Sequence, residues 1–209
     1  MSEKMLLEVA ELFALGFIVG LSGAIIPGPL FAFTVLDTNQ KGKVTAHEII
    51  LGHVVWEAGI VAVLLLGFGY FLIDFKWIIF LVGGAVMFTM GIFTMLNKDS
   101  ETKMIRRRVD SSFVGGIFYT ALNPSQPPWW ATAGLALLLT GIELMGLLGA
   151  LIVTLGHWVS DLAYYISVSF VVHRHEKFIS PRQRQVKMIL GAFLAALGTY
   201  FVISSFIDV

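Results

Sequence analysis

The 209-residue sequence contains no cysteine and few charges. The absence of cysteine excludes disulfides, thiolate metal sites and dithiol redox chemistry. Charged residues make up only 13% of the chain, against roughly 25% in soluble domains. The 14 basic residues lie mainly in loops and are balanced by 14 acidic ones, so nothing indicates a nucleic-acid partner. The polar stretches are too short to form a soluble domain.

The sequence is instead rich in apolar residues, which make up 57% of the chain, and its mean hydropathy is +0.84. A helix needs roughly 20 residues to cross about 30 Å of hydrocarbon. Six apolar segments reach that length, at residues 12–36, 49–73, 77–96, 113–140, 144–172 and 188–207. We therefore expect an all-α integral membrane protein with six transmembrane helices.

A basic linker at residues 98–112 divides the chain into two halves of three segments, residues 1–97 and 113–209. An odd number of spans makes the second half cross the membrane in the opposite sense, as in inverted-repeat transporters. Each half opens with a segment interrupted by prolines, at residues 22–29 and 123–128. Prolines this close together cannot sit in an unbroken helix. We expect one transporter domain made of two inverted three-helix repeats with broken helices 1 and 4.

The proline breaks predict a substrate site near the membrane midplane, because freed backbone groups must be buried or line a wet cavity. Half-helices that begin after Pro29 and Pro128 would offer backbone amides to a ligand carboxylate. Such a site suits an amino acid. Simple kinks for packing are the structural alternative. The candidate binding residues are Pro27, Gly28, Pro29, Asn123 and Pro124, with Trp56 and Trp130 as walls or interfacial anchors.

The pattern Gly-His-x-x-x-carboxylate occurs twice inside apolar segments, at residues 52–57 and 156–161. Its ionisable residues are His53, Glu57, His157 and Asp161. The four-residue spacing puts each pair on one helix face, and ionisable residues inside a membrane are functional candidates by default. All four are candidates for proton coupling, and the two carboxylates for binding a substrate amino group. A hydrogen-bonded plug between helices and a divalent-metal site, if segments 2 and 5 meet, are alternatives.

Lys and Arg residues are concentrated in the loops that follow the first, third and fifth segments. The positive-inside rule places these loops in the cytoplasm and both termini outside. We therefore expect a multi-pass protein of the cytoplasmic membrane, in contact with the lipid bilayer. Assembly into a homo-oligomer is left open.

The Pro-Gly-Pro-Leu-Phe-Ala motif at residues 27–32, the Gly52 helix with its acidic residue, and Asn123-Pro124 resemble the lysine exporter (LysE-type) translocator family. The resemblance covers nearly the whole chain, including the basic linker after the third segment. It implies export of amino acids coupled to a proton or another ion. The position of Glu57 and the Ser-Gln-Pro-Pro-Trp-Trp continuation of the helix 4 motif depart from the family pattern and leave the substrate open.

The sequence thus predicts a secondary transporter that exports amino acids or similar small zwitterionic or cationic metabolites by proton-coupled alternating access. A transporter for divalent metals or other cations is the alternative function. We expect no enzymatic activity and no cofactor, because the sequence contains neither an evident nucleophile–base pair nor a His-Glu-x-x-His motif.

The orientation can be tested by cysteine labelling, because the native chain contains no cysteine. A cysteine introduced in place of Ser2 should react with a membrane-impermeant reagent in intact cells, since the N-terminus is expected outside. Protection of that cysteine would overturn the assignment.

Overall fold

The computed structural model describes residues 3–67, 75–96 and 111–207, and every regular element within them is helical. Five stretches are long and apolar enough to cross a membrane: Glu3–Ala24, Ala46–Leu65, Trp77–Leu96, Gln126–Arg174 and Glu176–Ile207. The chain is therefore an α-helical membrane protein. The predicted basic linker lies outside the described residues except for its last two positions.

The first half begins with a helix that is broken beside its prolines. Helix α1 spans Glu3–Ala24, and α2 spans Pro29–Lys41. Pro29 starts α2 without loss of a hydrogen bond, because the first amide of a helix has no intrahelical acceptor. The chain then forms α3 over Ala46–Leu65 and α4 over Lys76–Leu96.

The second half also begins with a broken helix. Helix α5 spans Ser112–Ala121, and after four non-helical residues α6 spans Gln126–Trp129. A π-helical turn at Trp130–Gly134 leads into α7 at Leu135–Arg174. The remaining elements are α8 at Glu176–Ile179, a 3₁₀ turn at Ser180–Arg182, and α9 at Gln183–Ile207.

The long helix α7 reverses direction near its start. Its backbone leaves the helical region at Met145 (φ −138°, ψ 19°) and at Gly146 (φ 61°, ψ −149°), a left-handed φ that favours glycine. A Cβ at Gly141 would lie only 2.6 Å from the carbonyl carbon of Gly149, although residues eight apart in a straight helix are separated by about 12 Å. The two arms on either side of residues 145–146 are therefore antiparallel neighbours.

Glycines set how closely the helices pack. Helix α1 packs along the second arm of α7, α3 packs along α5, and α4 packs along α9. In the first two pairs, a Cβ on certain glycines would overlap a backbone carbonyl of the facing helix. These close approaches are Gly16 to Val153, Gly156 to Phe13, Gly52 to Phe113 and Gly116 to Ile49. Small residues at such crossings let helix backbones come close together in membranes.

We predict that Gly156→Ala destabilises the protein, because its methyl group would overlap the Phe13 carbonyl. Overpacking of this kind costs about 1–3 kcal/mol, so the unfolding midpoint in detergent should fall measurably. Gly59→Ala is the matched control, because a methyl group there meets no atom within 4 Å among the described residues. An equal midpoint for both variants would contradict the proposed close packing.

Candidate functional site

Two helices bring the four ionisable residues of the repeated pattern together. Helix α3 carries His53 and Glu57, and the second arm of α7 carries His157 and Asp161. We call these residues the His–carboxylate cluster. All four residues are buried, with exposed fractions between 2% and 8%. The sequence pattern specifies only the two pairs, His53 with Glu57 and His157 with Asp161. The packing of the helices brings these pairs together into one site.

Two of the four contacts within the cluster lie inside one helix, and the other two cross between the helices. The Nε2 atom of His53 lies 3.2 Å from Glu57 Oε2 and 3.2 Å from Asp161 Oδ2. The Nε2 atom of His157 lies 3.1 Å from Glu57 Oε2 and 3.4 Å from Asp161 Oδ2. Each histidine therefore contacts both carboxylates through the same ring nitrogen. One ligand atom from each residue lies within 4.8 Å of all the others.

Glu57 also accepts hydrogen bonds from three side chains outside the cluster. Gln126 Nε2 and Trp130 Nε1 each donate to Oε1 at 2.9 Å, and Trp158 Nε1 donates to Oε2 at 2.9 Å. An ionised carboxylate only accepts hydrogen bonds, so this ring of donors suits it. Through Gln126 and Trp130, the carboxylate on α3 is attached to the break in the fourth segment.

The second ring nitrogens of the two histidines have different surroundings. His53 Nδ1 lies 3.0 Å from Thr120 Oγ1, and the Thr120 hydroxyl donates its proton to the Gly116 carbonyl at 2.6 Å. Thr120 can therefore only accept from His53, so Nδ1 carries a hydrogen and Nε2 faces the carboxylates. His157 Nδ1 has no hydrogen-bond partner in the described part of the chain. Its ring stacks instead on Trp129, with centroids 4.7 Å apart.

A cavity of about 90 Å³ lies beside the cluster and is bounded by both helix breaks. This volume is well above the roughly 10–15 Å³ that one water molecule needs. The cluster residues, Gly28 from the first break and Asn123 from the second lie on its wall. The cavity therefore borders both the two helix breaks and the ionisable residues of the repeated pattern.

The other predicted binding residues are not on the cavity wall, but each adjoins a residue that is. Pro124 packs against Gly83 of α4, where a Cβ would lie 2.6 Å from the proline ring. Trp56 Nε1 donates to Gln126 Oε1 at 3.2 Å, and Trp130 is buried against Glu57. Pro27 and Pro29 flank Gly28 at the break.

Several residues on the cavity wall were not among the predicted site residues, and they include the polar side chains of Thr120, Gln126 and Tyr165. The position of Gln126 between prolines in a membrane segment was a usable signal, because a polar side chain there needs a partner. Thr120 and Tyr165 gave no comparable signal, since each lies in an ordinary apolar helix and reaches the site only through packing.

The prediction that the second half-helix begins after Pro128 is wrong, because α6 begins at Gln126. Pro127 and Pro128 lie within its first turn and have no amide hydrogen. The nearby amides of Ser125 and Gln126 are used locally, since they donate to the Asn123 side chain and carbonyl. This break therefore offers few amides to a ligand.

The break before α2 is different. Its N-cap is Gly28, which provides no side-chain hydrogen bond, and the amides of Leu30 and Phe31 lie in a first turn where no intrahelical acceptor exists. Gly28 and Leu30 both line the cavity. The predicted binding of a ligand carboxylate by backbone amides is therefore compatible with the first break only.

The site residues all lie within the part of the chain that matches a known protein family. A family model described as LysE type translocator matches residues 21–205, which include both helix breaks and all four cluster residues. No curated protein and no solved structure matches the chain.

We predict that Thr120→Val destabilises the protein by about 1–3 kcal/mol, because the buried Nδ1–H of His53 loses its acceptor. Thr120→Ser keeps the hydroxyl and is the matched control. Thermal unfolding in detergent should show a lower midpoint for the valine variant than for the serine variant. Equal midpoints would mean that Thr120 does not hold His53 in place.

Proposed function

The chain belongs to the LysE type translocator family, whose members are membrane transporters and not enzymes. From this family membership we propose that the protein exports amino acids or similar small zwitterions across the cytoplasmic membrane. Transport proceeds by proton-coupled alternating access. The observation that carries this proposal is a cavity bounded by two broken helices and a buried cluster with two carboxylates.

We further propose that the chain spans the membrane six times as two inverted repeats. The reversal at Met145 and Gly146 divides the stretch Gln126–Arg174 into two spans. The helix pairing supports the repeat. In the two halves, α1 corresponds to α5 and α3 corresponds to the second arm of α7, so the α1–α7 pair and the α5–α3 pair are equivalent. Their glycine contacts exchange in the same way: Gly16–Val153 corresponds to Gly116–Ile49, and Gly156–Phe13 to Gly52–Phe113.

The substrate occupies the cavity beside the cluster. Its carboxylate faces the first turn of α2, where the amides of Leu30 and Phe31 and the helix dipole favour an anion. Its ammonium group lies on the side of the cavity walled by Glu57 and Asp161, which attract positive charge. A zwitterion thus matches the charge distribution from one side of the cavity to the other.

Protons provide the coupling in this proposal. Two carboxylates buried in an apolar region require positive charge nearby, because isolated buried charge is costly. Histidines His53 and His157 contact both carboxylates and can carry that charge. Loss of a proton from the cluster leaves negative charge that attracts the substrate ammonium, so proton release and substrate binding alternate.

The two ends of the protein are closed by different kinds of contact. At one end, Lys41 contacts Asp37 at 2.9 Å and donates to Ser112 at 2.6 Å, while Thr38 and Ser169 hydroxyls lie 2.7 Å apart. At the other end an apolar group closes the bundle, which includes Leu12, Leu64, Leu137, Leu138 and Val153. Rocking of the broken helices opens these ends in turn.

The polar end is the cytoplasmic end in this proposal. Residues that border all three basic loops meet there, because Lys41 bonds to Ser112 beside the linker and Gly42 lies against Glu176 after α7. Positive loops gathered at one end favour a cytoplasmic location, with both termini outside.

Two serines at the helix breaks, Ser22 and Ser125, are hydrogen-bonded to neighbouring oxygen atoms. The Ser22 hydroxyl donates to the Val19 carbonyl at 2.6 Å, and the Ser125 hydroxyl donates to Asn123 Oδ1 at 2.7 Å. Neither partner is a base that activates a nucleophile.

We predict that Glu57→Gln and Asp161→Asn each abolish proton-coupled export in proteoliposomes without unfolding the protein. Glutamine at position 57 still offers an oxygen to Gln126 and Trp130, but it cannot bind and release a proton. The assay measures efflux of a panel of labelled amino acids driven by an imposed pH gradient. Glu143→Gln removes an exposed carboxylate and is the matched control.

Full coupled export by both cluster variants would refute the proton role. Coupled export of none of the amino acids by the wild-type protein would refute the proposed substrate class.

A further inference from the structure

We propose that the His–carboxylate cluster is a binding site for one divalent transition-metal cation of the Zn²⁺ type. The ligands are His53 Nε2, His157 Nε2, Glu57 Oε2 and Asp161 Oδ2. The metal ion takes the place of protons in the cluster, so it is a second ligand of the same four side chains, and its binding is tested without transport.

The geometry of the four ligand atoms fits a shared central ion. Nitrogen and oxygen alternate around the cluster with separations of 3.2, 3.2, 3.1 and 3.4 Å. For sides of this length, a central point lies about 2.0 Å from each atom in a tetrahedral arrangement and about 2.3 Å in a flat one, against roughly 2.0–2.2 Å for zinc–nitrogen and zinc–oxygen bonds. An ammonium nitrogen needs about 2.8 Å to each oxygen, so a substrate amino group is too large for this centre.

The hydrogen bond to Thr120 prepares His53 as a ligand. Its Nδ1–H donates to the Thr120 hydroxyl, whose own proton goes to Gly116. When the ring is neutral, this hydrogen bond leaves the Nε2 lone pair directed at Glu57 and Asp161, and a cation shared with the two carboxylates then removes the repulsion. An outer partner on the second ring nitrogen is the usual arrangement for histidine ligands of metals.

The remaining ligands are also held in place from outside. Glu57 Oε1 is occupied by Gln126 and Trp130, which leaves Oε2 turned toward the cluster. The His157 ring is held between Trp129, stacked at 4.7 Å, and Trp130, edge-on at 5.2 Å. Fixed outer contacts of this kind orient the ligands of metal sites.

Charge and ligand type specify the class of ion. One divalent cation neutralises the two carboxylates, which removes net charge from the apolar interior. Two imidazole nitrogens among four ligands favour a first-row transition metal over Mg²⁺ or Ca²⁺, which prefer oxygen ligands in larger number. All four ligand residues line the adjoining cavity, so an ion that enters the cavity meets the cluster directly.

The test is equilibrium binding of Zn²⁺ to the purified full-length protein in detergent after removal of metals with a chelator. The wild-type chain should bind one ion, and the double variant His53→Asn/His157→Asn should lose that ion. Thr120→Val, which removes only the outer partner of His53, should weaken binding about 10-fold or more, whereas Thr120→Ser should not. His47→Asn/His173→Asn removes two histidines outside the cluster and is the matched control.

X-ray absorption of the Zn²⁺-loaded wild-type protein provides a readout that needs no variant to fold. It should show four nitrogen and oxygen ligands near 2.0–2.1 Å, with scattering from two imidazole rings. Absence of stoichiometric binding by the wild-type protein, unchanged binding by the cluster variant, or a zinc environment without two imidazoles would overturn the proposal. Failure of amino-acid export would leave each of these measurements unaffected.

Discussion

The burial of Glu57 and Asp161 is the constraint on which the rest of the structure depends. Charged carboxylates in an apolar interior are tolerated only with positive charge and hydrogen-bond donors around them. Two histidines contact both carboxylates, and Gln126, Trp130 and Trp158 complete the shell around Glu57. These donors come from three parts of the chain, so satisfying the carboxylates also fixes the relative positions of α3, α6 and α7.

Close helix packing makes this arrangement possible. The glycines of the repeated pattern, Gly52 and Gly156, lie directly against carbonyl groups of α5 and α1, and each precedes a cluster histidine. A larger residue at either position would push its helix outward and move the histidine away from the centre. In each pattern, the glycine therefore allows the close helix packing that keeps the neighbouring histidine in the cluster.

The two halves are similar in packing but differ at the site. Thr120 on α5 binds the second nitrogen of His53, whereas Gly20 on α1 lies against His157 with no side chain to do so. The breaks also differ, because the amides at the start of α2 have no intrahelical acceptor, whereas those of Ser125 and Gln126 donate to Asn123. In the proposed function, this asymmetry distinguishes a carboxylate-binding side of the cavity from a cation-binding side.

The sequence alone determined the membrane-spanning class, because hydrophobicity and segment length follow directly from residue types. It also determined where the helices break, since proline lacks an amide hydrogen, and which carboxylate shares a helix face with each histidine. Only the tertiary structure decided that the two pairs form one cluster, that Gln126 and Thr120 support it, and that α6 begins at Gln126. These contacts join residues about 70 to 110 positions apart, and helix packing, which brings such residues together, is not encoded in any local spacing.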